Sequence, residues 1–134
     1  MTAKKYLEQM PYLDHSIQYA TTQMYHYDEY YKKTYMAGMK IPTRKENAER
    51  YKQFVDAFAE AREQEANRIA EDLQLKREIE TAVRSLPDPR LRAVLQMHFF
   101  EKKTYREIAD DLNYSEIYIR KLCKEGLEAI QVPE

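Results

Sequence analysis

The sequence predicts an all-α protein, with a long N-terminal helical hairpin or coiled coil followed by a three-helix helix-turn-helix unit. Three observations carry this expectation. Glycine and proline are scarce, two and five in 134 residues, while 34% of the residues are charged, a composition suited to helices with solvated faces. Apolar residues recur at spacings of four and three through the N-terminal and middle parts of the chain, the signature of one apolar stripe per helix. The C-terminal part carries two short periodic segments around a tight turn, "TYREIADDLNYSEIYIRKLC".

The first stripe is Tyr6, Met10, Leu13, Ile17, Ala20, Met24, Tyr27 and Tyr31. Pro11 lies inside it, so the regular helix either starts there or is kinked in an early turn. Gly38 and Pro42 mark a turn, and Thr43 with Glu46 has the capping-box spacing that opens a second helix over residues 43–86. Tyr51, Val55, Phe58, Arg62, Ile69, Leu73, Val83 and Leu86 approximate its stripe, weaker in the middle, with charges of alternating sign on the other faces. An antiparallel hairpin within one chain and a coiled coil between chains both fit this pattern. Leu13, Ile17, Met24, Tyr27, Tyr31, Tyr51, Val55 and Phe58 form the candidate seam for a second copy or a partner. The segment "YHYDEYYKKTY" holds five tyrosines. They could stack on bases, but Tyr27 and Tyr31 lie on the seam, which favours packing.

"SLPDPR" divides the chain into residues 1–86, a dimerisation or docking hairpin, and residues 87–134, the helix-turn-helix unit. Pro87 ends the long helix, and Asp88 and Pro89 fit the cap and first turn of a helix over 89–100. Leu91, Val94, Leu95, His98 and Phe99 share one face of it. After a short loop, Thr104 and Glu107 have capping-box spacing, and Ile108, Ala109 and Leu112 face inward. Asn113 stands where the chain must turn, a position where asparagine tolerates the left-handed conformation. Ser115 caps the last helix.

The 3.6-residue period of that last helix selects its outward face. With Ile119, Leu122, Cys123, Gly126 and Ile130 inward, Ile117, Lys121 and Lys124 point away from the core, flanked by Tyr118 and Arg120. An isoleucine opposite the core, early in the helix, suits contact with a thymine methyl group. Arg120 and Lys121 could donate to guanine or phosphate. Glu116 fits a cytosine contact and a dipole-favoured first-turn carboxylate equally well. Ser115, Glu116, Ile117, Tyr118, Arg120, Lys121 and Lys124 are therefore the candidate DNA-binding residues. Lys102, Lys103 and Arg106, beside the start of the preceding helix, join them as candidate phosphate contacts.

Charge limits this reading. The chain carries 22 basic and 23 acidic side chains, a net charge of −1, and no segment is a basic tail. Strong sequence-independent binding to phosphates is not expected, so DNA binding must come from a local cluster or be weak without a partner. No Ser/His/Asp set, Gly-rich phosphate loop or paired-carboxylate signature appears, and no catalysis or cofactor is expected. His15, His26 and His98 have no metal-ligand spacing, and the lone Cys123 points inward. The expectation is a protein of a reducing cytoplasm, with no membrane span and no secretory signal.

Residues 86–130 resemble region 4 of bacterial sigma factors, through "TYREIADDL", "YSEIYIRKL" and the terminal "GLEAI". The whole chain, including "AKKYLEQMPYLDHSI", is similar to short phage-associated proteins of Gram-positive bacteria, some of which are similar to ArpU-type late-gene regulators. The resemblance implies DNA contacts at Glu116, Ile117, Arg120 and Lys121, the face the periodicity selects, and contact with host RNA polymerase. Ile117 replaces the usual polar base reader, and the chain ends in "EAIQVPE" rather than in basic residues. Both departures imply a different sequence preference and weak phosphate affinity. The resulting expectation is a sequence-specific transcription regulator of a phage or mobile element, binding double-stranded DNA, with a homodimer formed through the hairpin. The alternatives are a phage-encoded inhibitor that blocks a host nucleic-acid machine through the hairpin and its acidic surface, and a coiled-coil assembly piece.

Overall fold

In the computed structural model, which describes residues 1–33 and 45–133, the secondary structure is helical throughout, with no strand among the described residues. The elements are α1 (Ala3–Glu8), α2 (Met10–Tyr31), α3 (Lys45–Arg84), α4 (Pro89–Leu95), which continues as a π-helical turn over Gln96–Phe100, α5 (Tyr105–Leu112) and α6 (Glu116–Ala129). The expected turn at Gly38 and Pro42 and the Thr43 cap lie outside the described residues.

The chain starts with a short helix of its own. Thr2 caps α1 by accepting from the Lys5 N–H at 3.2 Å. A proline cannot donate to the preceding turn, and the helix breaks at Gln9 and restarts at Met10, with Pro11 in the new first turn, where its missing N–H costs nothing.

Helices α2 and α3 run antiparallel. Asp14 pairs with Lys76 at 2.8 Å, Ser16 donates to Asp72 at 2.6 Å, and Asp28 pairs with Arg62 at 2.9 Å. At their far ends Phe58 stacks on Tyr31 at 5.1 Å and meets the edge of Tyr27 at 6.0 Å. The first of the two topologies left open by the sequence is thus the one adopted within the chain. Arg62, expected on the apolar stripe, is exposed and serves as the ion-pair partner of Asp28 instead.

Two compact units result. One comprises residues 1–14 and 74–134, and the other residues 15–73. This division cuts across the expected boundary between residues 86 and 87, for a physical reason. Tyr6, Leu7, Met10 and Leu13 from the N-terminal end, and Ile79, Val83 and Leu86 from the end of α3, share one buried cluster with Val94, Leu95, Phe99, Ile108, Ile119 and Leu122. Three short helices alone would leave those apolar faces in water. Burying a Leu- or Ile-sized side chain stabilises by about 1.5–3 kcal/mol, so the flanking helices are recruited into the core. Burial also raises the Tyr6 pKa, with a smaller contribution from Glu78.

The second unit differs. Among the described residues 15–73, Ala20 alone is fully buried, while Ile17, Met24, Tyr27, Tyr31, Tyr51, Val55 and Phe58 are half-buried. Two helices have too few faces to enclose a core, and their apolar stripes stay partly open. A cleft of about 600 Å³ there is lined by Tyr31, Val55, Phe58, Ala59 and Ala66 between Asp28 and Arg62.

Candidate nucleic-acid interface

The local chemistry that builds the helix-turn-helix follows the sequence closely. Asp88 caps α4, accepting from the Arg90 N–H at 2.9 Å, with Pro89 as the first helical residue. The Arg90 hydrogen bonds hold the Asp88 carboxyl below its ordinary pKa. Arg92 reaches back to the Leu86 carbonyl at 2.6 Å and closes the turn between α3 and α4. Thr104 and Glu107 form a full capping box, each side chain accepting from the other's backbone N–H, at 3.2 and 3.4 Å. Asn113 adopts the left-handed conformation at φ 59°, ψ 41°, and the Tyr114 N–H closes on the Ala109 carbonyl at 3.0 Å. Ser115 caps α6 by accepting from the Tyr118 N–H at 3.2 Å.

Helix α6 lies in this frame with the faces the period assigns. Ile119, Leu122, Cys123, Gly126 and Ile130 are buried. Ser115, Glu116, Ile117, Arg120, Lys121 and Lys124 are exposed, and Ile117, at 82%, is the most exposed large hydrophobic side chain among the described residues. Tyr118 is half-buried, and its hydroxyl accepts from Arg90 Nη1 at 2.7 Å, tying the start of α6 to the start of α4. Tyr114 packs edge-on against it at 4.8 Å.

The cations of this surface fall into two sets. Arg120 pairs with Glu116 at 2.8 Å, Lys103 with Asp111 at 2.8 Å, and Lys121 approaches Glu125 at 4.0 Å. Its pairing with Asp111 raises the Lys103 pKa. Lys102, Arg106 and Lys124 are exposed and have no ion-pair partner among the described residues. Half of the six cations named on this surface are therefore balanced by a nearby carboxylate and half are not.

Sequence reasoning missed three features here. Helix α4 widens into the π-helical turn, in which the Glu101 N–H bonds back to the Gln96 carbonyl at 3.0 Å. Lys102 then takes a left-handed φ of 58°, a conformation costing a non-glycine residue about 1–2 kcal/mol, and no residue type at that position signalled it. Tyr105 was assigned no role, yet it stacks on His98 at 4.4 Å, donates to Cys123 Sγ at 3.8 Å and lies 5.3 Å under the Arg120 guanidinium. Its place directly after a capping threonine was the available signal. The His98 Nδ1 stands 2.9 Å from the Lys103 carbonyl, which can only accept, so Nδ1 carries the proton.

Residues 82–131 match the family model described as Sigma-70, region 4. This stretch is thus similar to a sigma region-4 helix-turn-helix, a DNA-binding domain family. Neither the curated proteins nor the solved structures gave a match to the chain. No described helix is long and apolar enough to cross a membrane.

Proposed function

We propose that the protein is a sequence-specific, double-stranded-DNA-binding transcription regulator of the cytoplasm, of the kind carried by phages and integrated elements. Its α6 enters the major groove. The observation that carries this reading is the outward face of α6, where Ile117 stands exposed beside Arg120 and Lys121 on a helix held rigidly by caps at both sides of the turn. Lys102, Arg106 and Lys124 supply phosphate contacts, and contact with host RNA polymerase offsets their small number. The phage origin rests on the resemblance of the whole chain, "AKKYLEQMPYLDHSI" included.

Selection of bound duplexes from a random pool tests the reading. The wild-type chain should enrich one motif, and the double variant Arg120→Ala, Lys121→Ala should enrich none. Equal enrichment by the double variant refutes groove reading by α6.

Self-association belongs to the same proposal, with residues within 1–86 as the association element and residues 87–134 as the reader. The half-buried seam of Ile17, Met24, Tyr27, Tyr31, Val55 and Phe58 would be covered by the hairpin of a second copy, giving four helices around one core. Sedimentation should show a dimer that Phe58→Glu dissociates. A wild-type monomer at tens of micromolar (roughly the range where a weak dimer still forms) contradicts it.

A further inference from the structure

We infer that Tyr105 is a specificity-determining positioning residue: its ring holds Arg120 in the orientation from which Arg120 reads the DNA. The inference rests on the groove-reading function proposed above and adds to it a residue that touches no base.

Arg120 is anchored at two points. Within α6 its Nη2 meets the Glu116 carboxylate at 2.8 Å, and across the turn its Cζ stands 5.3 Å from the centre of the Tyr105 ring. The first contact is an ordinary one-turn pair made within α6 itself, on an exposed helix face. The second comes from a different helix and is fixed from behind. The Tyr105 ring lies nearly parallel to the His98 ring, 4.4 Å away and tilted by 13°. His98 is in turn held by its hydrogen bond to the Lys103 carbonyl at 2.9 Å, and the Tyr105 hydroxyl by Cys123 Sγ at 3.8 Å. Tyr105 and His98 are half-buried and Cys123 is buried. A set of packed groups from the loop, α5 and the core side of α6 thus ends at the one arginine on the outward face of α6.

The physical consequence concerns entropy and direction. An arginine side chain has many rotamers, and freezing them at the moment of binding weakens the complex. A guanidinium already resting on an aromatic face has lost part of that freedom. Where Arg120 presents its Nη2 edge to a base, the Glu116 contact made from that nitrogen gives way or is shared, since a bidentate contact takes two of the five guanidinium donors. The ring contact can persist throughout, since it uses the face of the guanidinium and leaves its N–H edges free.

The test uses the full-length chain, the duplex selected above and a scrambled duplex. Tyr105→Leu should lower the ratio of specific to scrambled affinity by about threefold, the effect of one exposed cation–π contact. Tyr105→Phe, which keeps the ring, should retain the wild-type ratio. In an Arg120→Ala background Tyr105→Leu should change the ratio no further. A ratio that Tyr105→Leu leaves intact, or lowers equally without Arg120, overturns the inference. A second readout needs no DNA. The side-chain protons of Arg120 should show an upfield ring-current shift in the free protein that Tyr105→Leu abolishes, and an unshifted Arg120 overturns the inference. Loss of motif selection by the wild-type chain, with the ring-current shift intact, sinks the groove-reading function and leaves Tyr105 as the holder of Arg120.

Discussion

Arg120 and Glu116 form a 2.8 Å ion pair one helical turn apart on the exposed face of α6, so the residue best suited to a base or phosphate is partly neutralised by its own helix. In the proposed DNA complex the pair would restrain affinity in two ways, by engaging the guanidinium and by placing a carboxylate where phosphates approach. Glu116→Gln should therefore bind scrambled duplex about threefold more tightly, the scale of an exposed ion pair. Fluorescence anisotropy at low salt measures it. Unchanged or weaker binding would mean that Glu116 does not face the DNA backbone.

Gly126 lies against Leu95 where α4 and α6 cross. A β-carbon at residue 126 would stand 3.0 Å from Leu95 Cδ1 and 3.1 Å from its Cγ, and Leu95 is fully buried. Alanine would gain about 1 kcal/mol of helix propensity, whereas crowding in a filled core costs about 1–3 kcal/mol. Gly126→Ala should thus lower the thermal midpoint. In a Leu95→Ala background, where the space exists, the same change should raise it. Thermal unfolding followed by circular dichroism decides, and stabilisation in both backgrounds would contradict this account of the crossing.

Alkaline pH should loosen the same unit. Burial raises the Cys123 thiol pKa, an effect its contact with Tyr105 only partly offsets, and burial likewise raises the pKa of Tyr105. Both groups favour their neutral forms in the folded state. Their contribution is therefore complete below the unfolded thiol pKa of about 8.5, and is lost as pH rises through the raised folded value. Urea midpoints should hold steady near neutrality and fall at high pH, and Cys123→Ala should make that fall shallower. A midpoint that climbs at high pH would contradict the burial of the pair.

Much of this structure was legible in the sequence because short-range chemistry specified it. Asp88 and Pro89, the Thr104–Glu107 box, Asn113 and Ser115 are local devices whose geometry depends on a few neighbouring residues, and each occurs where its spacing placed it. The faces of α6 follow from helical period alone. What was not legible depends on distant partners. The recruitment of Tyr6, Leu7 and Met10 into the core with α4 and α6 cannot be read from a stripe that equally fits a coiled coil. The π-helical turn and the left-handed Lys102 arise where the chain must join α4 to α5, and no glycine or proline marks the place. Tyr105 acquires its partners His98, Cys123 and Arg120 only when three elements pack together.

The most direct test of the central claim is anisotropy of the wild-type chain on its own upstream DNA and on random DNA across a range of salt. Preferential, saturable binding to the upstream DNA is expected. Its affinity should fall with salt, with a logarithmic slope of about −3, set by Lys102, Arg106 and Lys124, the cations of this surface with no ion-pair partner among the described residues. Binding that does not distinguish the two DNAs, or none even at low salt, would contradict sequence reading by α6 on its own.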